Sequence, residues 1–248
     1  MDAKVLGKIK VDVAHFKSSC SDCHQREICM PANASSDLLN KIDELIVIKR
    51  HLKSGDILYH AGSIFQGLYA VKSGFIKIEN QYPNGRLHIN GFYMMGDIFG
   101  FDGIAKNEHI FSSIAIEDSE ICLIPFDRIE HMGQEVERLK HHFFKLMSSE
   151  IYRNNTMMML LGSMQAEERL AAFLLNLSKR LKFRGYSQND LILRMTREEI
   201  GNYLGMKIET VSRIFTKFQE QGLLRVHLKN VEILNIEHLQ TISNQHSV

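Results

Sequence analysis

The sequence predicts an α+β chain: a cysteine-bearing N-terminal segment, an antiparallel β-roll, a long helix and a C-terminal winged helix-turn-helix. Three observations carry that expectation. From about residue 47 to 126, glycine-bearing turns recur at short intervals between brief apolar runs, the pattern of an antiparallel barrel or sandwich. A sustained alternation of three- and four-residue apolar spacings then marks one long helix, roughly Gln134 to Gly162. Near the C-terminus a capped helix, a glycine break and a second amphipathic helix follow in turn. The corresponding segments are 1–36, 37–132, 133–163 and 164–248.

The 248 residues are 44% apolar and 24% charged, which gives enough apolar surface for a folded core. No apolar run reaches membrane-spanning length, and the N-terminal residues lack a secretory apolar region, so a cytoplasmic location without membrane contact is expected. Thiols stay reduced there, which favours metal ligation over disulfides. Net charge is +1, unevenly spread. Residues 165–248 hold 12 Lys and Arg against 9 Asp and Glu, whereas residues 1–164 hold 18 against 20. The excess lies where a nucleic-acid reader would need it.

Cys20, Cys23 and Cys29 form C-x2-C-x5-C, and Cys122 stands far downstream in a predicted strand, Glu120–Ile124, ahead of Pro125. One four-thiolate site would use every cysteine in the chain. Soft thiolate ligands suit iron–sulfur clusters, zinc or copper(I). The spacing therefore suggests a loop wrapped around a metal centre and clamped to the folded body by a distant residue. A structural zinc site or a thiol redox switch remains open on the residues alone.

A short helical pattern begins near Asp37, with Leu38, Leu39, Ile42, Leu45 and Ile46 on one face. Leu68–Val71 and Phe75–Ile78 read as strands meeting at a tight Ser73-Gly74 turn. In the long helix, Phe144, Met147, Ile151, Asn154, Met158 and Leu161 form a heptad seam, while Leu139, Phe143 and Leu146 are expected to pack on the helix's own barrel. Two apolar faces need two partners, so the seam predicts a homodimer. Asn154, the polar member, would set register at some cost in stability.

Further on, Thr196-Arg197-Glu198-Glu199 is a capping box, in which the threonine hydroxyl and the Glu199 carboxylate satisfy each other's free amides. Gly201, Gly205 and Val211 have helix-turn-helix spacing. In the second helix Val211, Ile214, Phe215 and Phe218 point inward, leaving Glu209, Ser212, Arg213 and Thr216 on the opposite face. Arg213 has the fork to hold guanine O6 and N7, and Glu209 can accept from cytosine or adenine amines. Lys217, one turn on, suits a phosphate. Residues 224–228 and 231–233 read as the hairpin of a wing.

From end to end, this order resembles the cyclic-AMP receptor protein superfamily of bacterial transcription regulators. Within it, the cysteine set, the block Gln165-Ala166-Glu167-Glu168-Arg169-Leu170-Ala171-Ala172-Phe173, and the stretches Thr196–Gly205 and Glu209–Arg213 are similar to the oxygen-sensing fumarate and nitrate reductase regulators. The resemblance covers roughly residues 20–235. It implies a β-roll of the cyclic-nucleotide-binding kind and a [4Fe–4S] cluster held by Cys20, Cys23, Cys29 and Cys122. It also implies a dimer that binds DNA while oxygen is absent and loosens when oxygen degrades the cluster. The double-stranded DNA target would be a TTGAT-type inverted repeat read by Glu209, Ser212 and Arg213, and RNA polymerase would be a partner. Relatives often carry an acid at mid-seam, where this chain has Asn154. His24, Arg26 and Glu27 lie inside the cysteine loop, and Arg86 lies at the turn that relatives use to touch the polymerase. Nucleotide-binding members hold ribose and phosphate with a Glu and an Arg-Ser pair. The matching stretch, Gly100–Gly103 to His109-Ile110, lacks the Arg-Ser, so tight cyclic-nucleotide binding is not expected.

An enzyme is not expected either. His51, His60, His88 and His109 are scattered without an H-x-H pair and read mostly as exposed turn residues, and His141-His142 reads as a solvated part of the long helix. No phosphate-binding glycine loop, nucleophile elbow or paired-carboxylate pattern occurs.

Overall fold

The computed structural model describes residues 48–82, 84–129 and 137–243. The cysteine triplet, the helical pattern after Asp37 and the first residues of the long helical stretch lie outside them. Among the described residues eight strands build the roll: β1 (Ile48–Leu52), β2 (Ile57–Tyr59), β3 (Gly67–Ser73), β4 (Phe75–Gln81), β5 (Leu87–Met94), β6 (Ile98–Phe99), β7 (Ser112–Ala115) and β8 (Ser119–Pro125). They form two antiparallel sheets, ordered β1-β8-β3-β6 and β2-β7-β4-β5. Alternate residues turn inward, so Tyr59, Val71, Ile76, Ile78, Tyr93, Phe99, Ile121 and Leu123 close one core between the sheets.

The two strands expected to meet at Ser73-Gly74 both form, but they do not pair with each other. β3 pairs with β6 and β8, and β4 pairs with β5 and β7. The turn is a corner between sheets. Gly74 has φ 89°, and a Cβ there would lie 2.2 Å from Ser119 Oγ, so the corner tolerates no side chain.

The long helix, α1 (Glu137–Ser163), is followed after Met164 and Gln165 by α2 (Ala166–Phe183). Then come β9 (Asp190–Ile192), α3 (Arg197–Leu204), α4 (Ile208–Glu220), β10 (Leu224–His227), β11 (Asn230–Ile233) and α5 (Ile236–Ser243). The wing is a three-stranded sheet, β10-β11-β9, and β9 is a strand that sequence periodicity did not reveal.

The DNA-binding-type unit does not close a core of its own. Leu170, Leu174, Ile200, Val211 and Phe218 share one apolar cluster with Phe75, Ile89, Phe92 and Met94 from the outer face of β4 and β5. Phe92 meets Phe173 and Tyr203 edge-on at 6.3 and 5.1 Å, a favoured geometry for aromatic pairs. On the same flank, Asp97 is gripped by Arg180 and Arg184, and Arg184 Nε donates to the Met95 carbonyl at 2.6 Å.

Candidate nucleic-acid interface and thiolate centre

The reading head is built as its residues dictate. Glu199 N donates to Thr196 Oγ1 at 3.1 Å and Thr196 N to Glu199 Oε2 at 2.8 Å, which completes the capping box at the start of α3. Gly205 ends that helix with φ 63° and ψ 40°, a left-handed cap. Arg169 supports the turn from α2, its Nη1 donating to the Leu204 carbonyl at 3.0 Å. At Gly201 a Cβ would lie 2.7 Å from the Met206 carbonyl oxygen and 3.3 Å from Val211, so α3 and α4 can cross this closely only over a glycine.

α4 splits cleanly. Val211, Ile214, Phe215 and Phe218 are buried, and Glu209, Ser212, Arg213, Thr216 and Lys217 are exposed. Glu209 and Arg213 form no ion pair with each other, which leaves both groups open to a ligand. The Thr216 hydroxyl donates to the Ser212 carbonyl at 3.2 Å. Lys217 is engaged: its Nζ donates to both carboxylate oxygens of Glu167 on α2, at 2.6 and 2.7 Å. Sequence reasoning missed Arg197. Its guanidinium lies over the Phe215 ring, 3.1 Å from the centroid, and burial pushes it down to about 10. No spacing rule points from Arg197 to Phe215, which explains the omission.

Of the four cysteines, Cys122 is described. It lies in β8 opposite Lys49 of β1 and Ala70 of β3. Its neighbours Ile121 and Leu123 point into the barrel, so the half-buried Cys122 side chain points to the outer face. A cysteine on a central strand, facing out, is placed to offer its sulfur to a soft metal centre.

Two family models match the chain: a cyclic nucleotide-binding domain over residues 49–135 and a Crp-like helix-turn-helix domain over residues 168–242. The transcriptional regulatory protein btr of Bordetella pertussis is 39% identical over 95% of this chain and 96% of its own. The fumarate and nitrate reduction regulatory protein of Salmonella typhi is 38% identical over 90% of each chain. Among solved structures, FixK2 from Bradyrhizobium japonicum superposes with a TM-score of 0.72 at 26% identity, covering 78% of this chain and 96% of its own.

The chain belongs to the Crp/Fnr family of transcription regulators, within the fumarate and nitrate reduction (FNR) group. Crp/Fnr proteins are DNA-binding regulators that act as dimers, not enzymes. In this member, the apolar residues of α1 differ in what they meet. Phe143 packs toward the roll, 6.3 Å from both Phe101 and Phe126. Phe144, Ile151 and Met158 are 52, 61 and 72% exposed, and Ile151 and Met158 border the open cavity between α1 and the roll. Asn154 is exposed between them, with Met147 and Leu161 half-buried. Tyr152 and Met159, absent from the predicted seam, widen the apolar face.

Inside this Crp/Fnr roll, a cavity of about 610 Å³ opens between the sheets and α1, lined in part by Tyr59, Asn90, Asp102, Glu150 and Tyr203. Among the described residues no arginine or lysine lines it, although Arg153 Nη2 lies 2.6 Å from Glu150 Oε1 at its wall. His109 departs from the expected exposed turn: it is fully buried, stacked on Tyr59 at 3.7 Å, with Nδ1 3.4 Å from Asp102 Oδ1. Stacking and a carboxylate hold it inward, and neither is visible from residue spacing. Among the described residues no helix is long and apolar enough to cross a membrane.

Proposed function

We propose that this chain is a cytoplasmic, homodimeric, oxygen-responsive transcription regulator. In this reading α4 reads a TTGAT-type inverted repeat in double-stranded DNA, and Cys20, Cys23, Cys29 and Cys122 hold a [4Fe–4S] cluster. The observation that carries it is the exposed face of α4. Glu209, Ser212 and Arg213 stand side by side near the helix N-terminus, exposed, and no ion pair among the described residues engages their side chains. Arg213 would form the bidentate contact to guanine, Glu209 would accept from a base amine, and Ser212 would fill in between. Thr216 and Lys217 lie one turn back, where phosphates pass.

When bound, the cluster supplies an oxygen-labile cross-link between the N-terminal segment and the central strand β8. Cys122 supports the assignment through its outward direction, and the all-thiolate donor set suits iron–sulfur chemistry. β8 precedes α1 in the chain, so tension on Cys122 would bear on the position of the seam formed by Phe144, Met147, Ile151, Asn154, Met158 and Leu161. A few kcal/mol there shifts a dimer equilibrium by orders of magnitude. RNA polymerase would be met through surfaces that include the exposed Asn84–Arg86 turn. Asp102 and Glu150 put carboxylates in the cavity, and the arginine beside Glu150, Arg153, is already engaged by it at 2.6 Å, which argues against a phosphate-bearing cyclic nucleotide there.

The test is anaerobic purification followed by metal and sulfide analysis and a DNA-binding assay before and after air. Brown, air-labile protein that loses operator affinity on bleaching supports the proposal. A colourless protein carrying one zinc per chain, or operator binding indifferent to iron, would overturn the sensing half. In Cys122→Ser both the colour and the anaerobic DNA binding should disappear, and retention of both would break the four-ligand set.

A further inference from the structure

The reading head is fastened to an open sheet edge. β5 is the last strand of β2-β7-β4-β5, and an edge strand leaves main-chain N–H and C=O groups unpaired. Asn202 of α3 closes this one. Its Oδ1 accepts from Ile89 N at 2.6 Å, and its Nδ2 donates to the Leu87 carbonyl at 2.7 Å, as one residue of a further strand would. A short carboxamide is needed because it offers a donor and an acceptor together; aspartate offers only acceptors and alanine neither.

Residues on both sides of Asn202 reinforce the clasp. Glu199 caps α3 with Oε2, and its Oε1 lies 3.0 Å from Lys77 Nζ of β4. Tyr203 packs against Phe92. Throughout, the Glu209–Arg213 face of α4 stays exposed, so docking fixes the head without covering what it reads. The covalent link between α1 and α2 is only Met164 and Gln165, and Asn202 works beside the shared apolar cluster and the Arg180 and Arg184 grip on Asp97 in holding the head.

We propose that Asn202 is a positioning residue that sets the angle at which each subunit presents α4, and thereby the spacing between half-sites that the dimer accepts. The inference rests on the reading of the chain as a dimeric inverted-repeat binder. Half-sites recur about 34–36 Å apart along a duplex, so a head free to swivel would tolerate gaps that a clasped head rejects.

The experiment uses the full-length protein, prepared anaerobically, with operators whose half-sites are identical but whose central gap is natural or one base pair longer. Wild type should favour the natural gap strongly. Asn202→Ala should shrink that preference about tenfold, the worth of two lost hydrogen bonds, while discrimination between bases within a half-site is unchanged. Asn202→Asp, which keeps only the acceptor, should fall between. Hydrogen exchange supplies a readout without DNA: the Ile89 amide should exchange faster in Asn202→Ala, with protection on β4 and β7 retained as proof of folding. Unchanged exchange at Ile89 would overturn the clasp. Faster exchange with an unchanged gap preference would overturn the positioning role. A wild type indifferent to the repeat would overturn the DNA assignment and the positioning role with it, and the exchange measurement would still judge the clasp.

Discussion

Lys217 of the reading helix is held by Glu167 of α2, with both carboxylate oxygens within 2.7 Å of its ammonium. The residue expected to meet a phosphate is thus neutralised within the subunit. Both side chains are nearly half exposed, so the pair contributes little to stability, about 0–1 kcal/mol. Its effect on DNA is larger in proportion, because each cation freed for a phosphate releases a counterion.

Glu167→Gln should therefore strengthen DNA binding several-fold on any sequence and leave base preference alone. The salt dependence should steepen by about one counterion, read as the slope of log affinity against log salt concentration. Titrations at four or five salt concentrations decide this, and an unaltered slope would show that Lys217 meets no phosphate.

Arg213→Ala should behave in the opposite manner. Losing a bidentate guanine contact costs about 1–3 kcal/mol at one base pair and relaxes preference there, while the salt slope falls little. Sedimentation should still find a dimer, since Arg213 is an exposed residue of α4 and not a member of the α1 seam. An unchanged base preference at every position of the half-site would remove Arg213 from the reading face.

The parts legible in the sequence were those fixed by local chemistry. The Thr196–Glu199 box, the Gly205 cap and the two faces of α4 follow from rules that act within a few residues, and all appear in the structure as expected. What could not be read was long-range. Phe75 and Phe92 look like ordinary strand residues, yet they belong to the core under α2 and α3. Leu68–Val71 and Phe75–Ile78 look like a hairpin, yet Gly74 turns the chain from one sheet to the other. His109 looked like a surface residue, and only the fold brings Tyr59 and Asp102 to it. Pairing partners far apart in the chain are set by tertiary packing, and no periodicity encodes them.

Asn154 offers a test of the dimer face. It is exposed between Ile151 and Met158, where a second α1 would lie. Asn154→Asp would place two carboxylates across the seam. The dimer should weaken by about 1 kcal/mol, a several-fold rise in its dissociation constant, with a larger loss in air than under argon. Sedimentation under both atmospheres measures this, and equal dimerisation of both proteins in both gases would show that the seam lies elsewhere.

Leu228 should be the easiest place to gain stability. It sits between β10 and β11 with φ 55°, a left-handed conformation that costs a residue with a Cβ roughly 1 kcal/mol, and its side chain is 85% exposed. His227 pairs with Asn230, so two residues make the whole turn and the strained one cannot shift without breaking the register. Glycine adopts this conformation freely, although it also gains freedom in the unfolded chain, which offsets part of the benefit. Leu228→Gly should thus raise stability slightly, by up to about 0.5 kcal/mol, seen as a higher denaturation midpoint with an unchanged slope in denaturant. A lower midpoint would mean that the exposed leucine makes contacts worth more than the strain it imposes.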